Sequence, residues 1–248
     1  VATFNMNVVR PVGEWSNSNQ TGWQFIAAPF VNNTAPIANF TSPNYSTIVY
    51  DLYKYNGVVD GEEWDNHKDN YNDQSWWYFN PGEGYLASYG ELEEATLSGT
   101  LNSGLTYSWD NLTYNNSKDL ANFHLLGNPF PFNMDMSKAT FTNMVNGVAI
   151  VTSNGGYDYS QTTIPVGDGF FVKTTADGAK LSYNHNAKSS RSGNANSLNI
   201  TATGNAGKDN VVINFAGKSE GFNKLQNFND AIATVYVAED GKNYGIYN

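Results

Sequence analysis

The residues best suited to chemistry are concentrated between Gly57 and Asp73, in the run GVVDGEEWDNHKDNYND. This run is rich in acids, although only 15% of the chain is charged. Carboxylate and amide oxygens at such density are the ligands that Ca²⁺ prefers, but the spacing does not match an EF-hand loop. The run therefore predicts either a solvated charged loop or a calcium site. The acids are Asp60, Glu62, Glu63, Asp65, Asp69 and Asp73, and the predicted calcium ligands are Asp60, Glu62 and Asp69.

Aromatic side chains lie within and beside the same acidic run. Aromatic rings with a polar edge can stack on sugar rings while nearby Asp and Asn side chains hydrogen-bond hydroxyl groups. We therefore predict that 57–78 forms a ligand-facing loop and that its ligand is a glycan. The predicted ligand-binding residues are Trp64, Asp65, Asn66, Tyr71 and Trp76.

The segment after the acidic run, SWWYFN at 75–80, predicts a strand because it is almost entirely aromatic. Alternation along a strand would place Trp76 and Tyr78 on one face and Trp77 and Phe79 on the other. One pair is expected in the core. The other pair is either exposed as part of a binding surface or covered by the acidic insertion.

Signatures of catalysis are missing from the sequence. Histidine occurs only at 67, 124 and 185, without the HExxH spacing of zinc enzymes, and cysteine is absent. No G-x-S-x-G motif is present to supply an activated serine. Glu62 and Glu63 could serve as a carboxylate pair for glycoside hydrolysis only in the sense that any acids could. We therefore expect a protein that is not an enzyme and has no resident cofactor other than the calcium considered above.

Composition excludes further classes of function. The net charge of −10 disfavours nucleic acid as a partner, because an acidic surface repels phosphate backbones. No apolar run approaches the length of a bilayer span. Aromatic residues make up 15% of the chain, which favours strands over helices.

An internal repeat organises these elements. The stretch GWQFIAAPF at 22–30 is followed a hundred positions later by NFHLLGNPF at 122–130, and these are called here the landmark strands. A second pair of matching segments, PGEGYL at 81–86 and VGDGFF at 166–171, places a Gly-acid-Gly turn before an aromatic strand. The first copy is longer, and the acidic insertion accounts for its extra length.

The repeat predicts an all-β fold of two related β-sandwich-like, jelly-roll-type repeats at 1–104 and 105–187. A polar linker at 188–196 precedes a partial third β module at 197–248. The chain stops on a predicted strand, which suggests that it is a fragment of a longer protein. Six apolar residues of the matching strands are predicted to be buried: Trp23, Phe25, Phe123, Leu125, Phe170 and Val172.

The order of these motifs resembles the C-terminal β-rich modules of surface proteins exported by the type IX secretion system. The segments that carry the resemblance are WQFIAAP at 23–29, PGEGYL at 81–86, LGNPFP at 126–131, GFFVK at 169–173 and the tail from Phe228 to Ile246. The resemblance implies a secreted or outer-surface location and an adhesive or accessory role. It carries over no catalytic residue.

The leading hypothesis is thus a non-catalytic cell-surface or secreted module with an adhesive or scaffolding role. Its partner would be a glycan or a protein of a host or neighbouring surface. The alternative is an accessory carbohydrate-binding module of a larger secreted hydrolase, and an enzyme in its own right is the weakest hypothesis.

Overall fold

A computed structural model describes residues 2–7, 23–32, 34–37, 50–57, 63–89, 94–115, 117–188, 197–215 and 220–248. Strands dominate these ranges, and the α-helix within them, α1 at His67–Asn70, is only four residues long. Short 3₁₀ helices lie at Gln74–Trp76, Asp119–Asn122 and Met136–Lys138. The chain is all-β, as the sequence predicts.

The N-terminal lobe, defined here as the described residues between 2 and 101, contains two sheets. A four-stranded sheet has the order β2-β5-β3-β4, and β1 pairs with β6 beside it. Its core holds Tyr50, Trp76 and Tyr85, all buried. The strands are β1 Ala2–Asn7, β2 Gln24–Ile26, β3 Tyr50–Tyr55, β4 Trp64–Asn66, β5 Tyr85–Tyr89 and β6 Glu94–Gly99.

The central lobe, defined here as the described residues between 105 and 188, is built from shorter strands. Its sheets have the orders β10-β15-β7, β14-β8, β11-β12 and β13-β9. Phe130, Phe170 and Leu181 are fully buried in its core. The strands are β7 Thr106–Leu112, β8 Phe123–Gly127, β9 Met134–Asp135, β10 Ala139–Thr142, β11 Ile150–Val151, β12 Tyr157–Asp158, β13 Thr163–Ile164, β14 Gly169–Lys173 and β15 Ala179–Asn184.

The two landmark strands hold equivalent places in these lobes, as the repeat predicts. In the N-terminal lobe, Phe25 of β2 is paired with Leu86 of β5, the strand that follows the first Gly-acid-Gly turn. In the central lobe, Leu125 of β8 is paired with Phe171 of β14, the strand that follows the second such turn. The register of the two pairs is the same, residue for residue.

Each lobe donates a backbone hydrogen bond to the Gly-acid-Gly turn of the other lobe. The amide of Ala27 in the N-terminal lobe donates to the carbonyl of Gly167 at 2.7 Å, and the amide of Gly127 in the central lobe donates to the carbonyl of Gly82 at 2.9 Å. Gly82 and Gly167 occupy the same place in the repeat, and both have positive φ, at 77° and 85°. That conformation is accessible to glycine without steric cost, which explains the first glycine of each Gly-acid-Gly turn.

The C-terminal module, defined here as the described residues between 197 and 248, forms one sheet of order β16-β17-β20-β18, with β19 also paired to β20. The β17–β20 pairing is parallel, whereas β16, β18 and β19 pair in antiparallel fashion. The predicted linker lies almost wholly outside the described residues, at 189–196. The strands are β16 Ser197–Gly204, β17 Gly207–Asn214, β18 Phe222–Asn223, β19 Val237–Glu239 and β20 Lys242–Tyr247.

A third core joins this module to both lobes. Phe25 of the N-terminal lobe meets Phe171 of the central lobe edge to face, with ring centroids 5.1 Å apart. Phe123 of β8 meets Phe222 of the C-terminal module at the same centroid distance. The six residues predicted to be buried are all buried, four of them in this shared core. The six predictions of burial are therefore confirmed, and β8 and β14 are buried on both faces, because consecutive residues of each strand are buried.

One predicted strand is wrong. Residues 74–76 form a 3₁₀ helix whose cap is Asp73, because the Asp73 carboxylate accepts a hydrogen bond from the Ser75 amide at 2.8 Å. Helical rotation then sends Trp76 and Phe79 into the core together and leaves Trp77 48% exposed. The insertion is also more ordered than the predicted loop, since β4 and α1 lie within it.

Candidate functional site

A cleft of about 750 Å³ opens where the insertion, the landmark strand of the N-terminal lobe and the C-terminal module meet. This volume is typical of small-molecule sites, which span roughly 300–1,000 Å³. Seven of its lining residues are aromatic, and four carry carboxyl or amide groups. The aromatic residues are Trp23, Tyr53, Tyr55, Trp64, Tyr157, Phe171 and Phe228, and the polar ones are Glu63, Gln226, Asn227 and Asp230.

The floor of the cleft is formed by aromatic residues of the shared core. Trp23, Tyr157 and Phe171 are buried there, with exposed fractions of 7% or less. Phe228 lies above them and stacks on Trp23 and Tyr157, with ring centroids 5.9 and 5.8 Å apart. Phe228 itself is only half-buried, so the stack ends in an accessible aromatic surface.

One wall is formed by β3 and β4. Tyr53 and Tyr55 point to the same side of β3 because they are two residues apart in a strand. Trp64 of β4 is paired with Tyr55, and their rings meet edge to face at 5.1 Å. All three side chains are half-buried and line the cleft. The Tyr55 hydroxyl donates to the Leu120 carbonyl at 2.8 Å, which fixes the orientation of its ring.

The tyrosines of this wall are neutral hydrogen-bonding groups. Burial, together with the nearby Asp51 carboxylate, raises the pKa of Tyr53 to about 12. Burial raises the pKa of Tyr55 as well, with a smaller contribution from Glu63. Both phenols therefore keep their protons across the physiological pH range, and neither supplies a phenolate for catalysis.

The most informative polar group is Asn227. Its side chain is only 5% exposed, and its amide oxygen has no hydrogen-bond partner among the described residues. Its amide nitrogen contacts the Thr234 hydroxyl at 3.4 Å. An unsatisfied buried acceptor costs about 1–3 kcal/mol, so such groups in folded proteins call for an explanation. This oxygen is itself buried, so a donor on a ligand in the cleft would reach it only if the Asn227 side chain moved.

No protein-family model matches this chain, and neither does any curated protein or solved structure. Among the helices of the described ranges, none has the length and apolar character required to cross a bilayer. The chemistry of the cleft is therefore the basis for assigning a function.

Of the five predicted ligand-binding residues, the structure places Trp64 in the cleft. Asp65 and Asn66 follow it on β4 but are engaged elsewhere: Asp65 accepts from Asn56 at 3.3 Å, and Asn66 caps α1 by accepting from the Lys68 amide at 2.9 Å. Tyr71 is 44% exposed and does not line the cleft.

Trp76 was predicted to bind ligand, but its side chain is buried in the structure. It is 4% exposed and packs in the core of the N-terminal lobe, beneath the Lys54 ammonium, which lies 4.6 Å from its ring centroid. The reason is the 3₁₀ helix described above, which turns this side chain inward. Trp76 is therefore a core residue.

The predicted calcium ligands are only partly described. Asp69 is exposed in α1, whereas Asp60 and Glu62 lie outside the described residues. Within the described ranges, no group of three or more His, Asp or Glu side chains is arranged to hold a metal ion. The calcium site remains a prediction.

Sequence reasoning missed the part of the cleft contributed by the C-terminal module. The segment from Leu225 to Asp230 is irregular, and no site residue was predicted there, yet it supplies Asn227, Phe228 and Asp230 to the site. The available signal was its composition, since aromatic, amide and acidic residues alternate there without the periodicity of a strand.

Proposed function

We propose that this chain is a non-catalytic carbohydrate-binding module of a secreted or cell-surface protein, and that it serves adhesion. The proposal rests on the aromatic lining of the cleft. The resemblance to modules of type IX secretion proteins supports the surface location, because carbohydrates are abundant binding partners there.

The cleft offers both contacts that a sugar ring requires. Trp64 and Tyr55 present accessible ring surfaces for stacking against the apolar face of a pyranose. Glu63 and Asp230 line the cleft and offer carboxylate oxygens that accept hydrogen bonds from hydroxyl groups. Because these acids repel negative charge, we expect neutral glycans to bind more tightly than glycans containing uronic or sialic acids.

The test is titration calorimetry of the full chain against a panel of neutral and acidic oligosaccharides. We expect one neutral class to bind, and Trp64→Ala to raise its Kd at least tenfold, equivalent to about 1.4 kcal/mol. Trp77→Ala and Tyr71→Ala are matched controls, because both remove exposed aromatic rings of the same segment that do not line the cleft. Equal losses in all three variants, or no binding by any glycan, would overturn the proposal.

Two further arms separate the alternatives. Repeating the titration with calcium and with a chelator tests the predicted role of Asp60, Glu62 and Asp69. Assaying each bound glycan for released reducing ends tests hydrolysis, because Glu63 and Asp230 are two carboxylates lining one cleft. Binding without cleavage supports a non-catalytic module, whereas turnover abolished by Glu63→Gln would assign a glycoside hydrolase.

A further inference from the structure

A buried lysine joins the central lobe to the C-terminal module. Lys173, the last residue of β14, has a fully buried side chain. Its ammonium nitrogen lies 2.7 Å from the amide oxygen of Asn223, 2.8 Å from a carboxylate oxygen of Glu220 and 3.4 Å from the carbonyl of Gly221. An amine, a carboxamide and a carboxyl group thus meet at one point.

The surroundings of this point are largely apolar. The Lys173 nitrogen lies 6.0 Å from the ring centroid of Phe123, which packs in turn against Phe222. The carboxyl group of Glu220 is the acceptor nearest to take the proton, and its side chain is 37% exposed, which leaves a path to solvent.

We propose that Lys173 and Asn223 form an intramolecular isopeptide bond. The hydrogen bond to the Asn223 oxygen holds the lysine nitrogen next to the amide carbon that it attacks. Such a bond would tie β14 covalently to β18 and fix the C-terminal module on the shared core. The inference does not depend on what binds in the cleft.

The reaction balances without any co-reactant. Lys173 gives a proton to Glu220, and the neutral amine attacks the side-chain carbon of Asn223. A C–N bond forms, the bond from that carbon to the Asn223 amide nitrogen breaks, and protonated Glu220 gives its proton to the departing nitrogen. The Glu220 carboxylate then takes the second proton from the new amide nitrogen and releases it to solvent. Ammonia leaves, and no atom is oxidised or reduced. A positioned carboxyl group that transfers protons in both directions is an ordinary general acid–base catalyst.

The test is mass spectrometry of the purified full chain. We expect an intact mass lower than that of the sequence by one ammonia molecule. We also expect a branched tryptic peptide joining 139–180 to 219–224, because a modified Lys173 resists trypsin. The branched peptide is decisive, since succinimide formation at Asn-Gly sites such as 146–147 also releases ammonia but creates no branch.

Variants separate the covalent bond from the ion pair. Lys173→Arg keeps a positive charge and Glu220→Gln keeps the shape of the site, and neither should yield the branched peptide. A folded Glu220→Gln protein, verified by circular dichroism, with unmodified Lys173 supports the proton-transfer role. Wild-type protein that keeps its full mass and shows ordinary cleavage after Lys173, following prolonged incubation, would overturn the proposal.

Discussion

Replacing Gly127 with alanine should weaken the junction between the lobes. The added Cβ would lie 2.3 Å from the carbonyl oxygen of Glu83 and 2.6 Å from the Cβ of Ala27. Both contacts are far below normal separations, and the first involves backbone, so neither can be relieved by rotating a side chain. Gly127 does not have positive φ, so the effect is purely steric.

The expected magnitude follows from this crowding. Overpacking a well-packed site costs typically 1–3 kcal/mol, and a backbone contact this short places Gly127→Ala near the upper end, about 3 kcal/mol. For a chain of this size such a loss lowers the Tm by roughly 6–12 °C. Urea denaturation followed by tryptophan fluorescence measures the free energy of unfolding directly.

Gly204→Ala is the matched control. A Cβ on this residue of β16 would meet no atom within 4 Å, so the change should alter stability by less than about 0.5 kcal/mol. The exchange Ala27→Gly with Gly127→Ala removes the clash with the Ala27 methyl group and should recover part of the loss. If Gly127→Ala matched Gly204→Ala in stability, the close approach of the two lobes at this point would be refuted.

The remaining predictions concern buried charges. Burial raises the pKa of Asp168 to about 6 from its ordinary value near 3.8, so between these values the folded state binds the proton more tightly and stability falls as pH rises. Asp168→Asn should therefore be more stable than wild type by about 3 kcal/mol at pH 7, and the two proteins should differ little at pH 4. Denaturation at both pH values checks this, and a difference that did not depend on pH would contradict it. Lys224 and Asp209 form a buried ion pair with a contact of 2.5 Å. Lys224→Met alone should cost about 3–5 kcal/mol by leaving a buried carboxylate, whereas Lys224→Met with Asp209→Asn should cost less than Lys224→Met alone. A double-mutant cycle measures this coupling, and additive losses would contradict it.

The all-β fold could be predicted from the sequence because apolar runs and turn residues are local signals. Phe25 and Phe123 lie in short apolar runs, which predict strands buried in the core. The Gly-acid-Gly turns were recognisable because the first glycine of each, Gly82 or Gly167, has positive φ. Local signals of this kind can be recognised without knowing which distant segments come into contact.

The candidate site was predicted less well because it is assembled from distant segments. Trp64 and Phe228 are far apart in sequence, yet their ring centroids lie 6.4 Å apart. No spacing rule connects them, since the contact depends on how the C-terminal module packs on the lobes. The error at Trp76 had a local cause that could have been noticed, because Asp73 followed by Gln74 and Ser75 is a good start for a short helix.

Each lobe donates a hydrogen bond to the Gly-acid-Gly turn of the other lobe. The unit that recurs in the sequence therefore differs from the unit that is complete in the structure. The unit that recurs in the sequence is a landmark strand with a Gly-acid-Gly turn, but neither lobe contains the carbonyl that its own landmark strand needs, because the amide of Ala27 bonds to Gly167 and the amide of Gly127 bonds to Gly82. Cutting the chain between the copies would expose these amides and the shared aromatic surface together. For recombination and for protein engineering, the portable piece is therefore the pair.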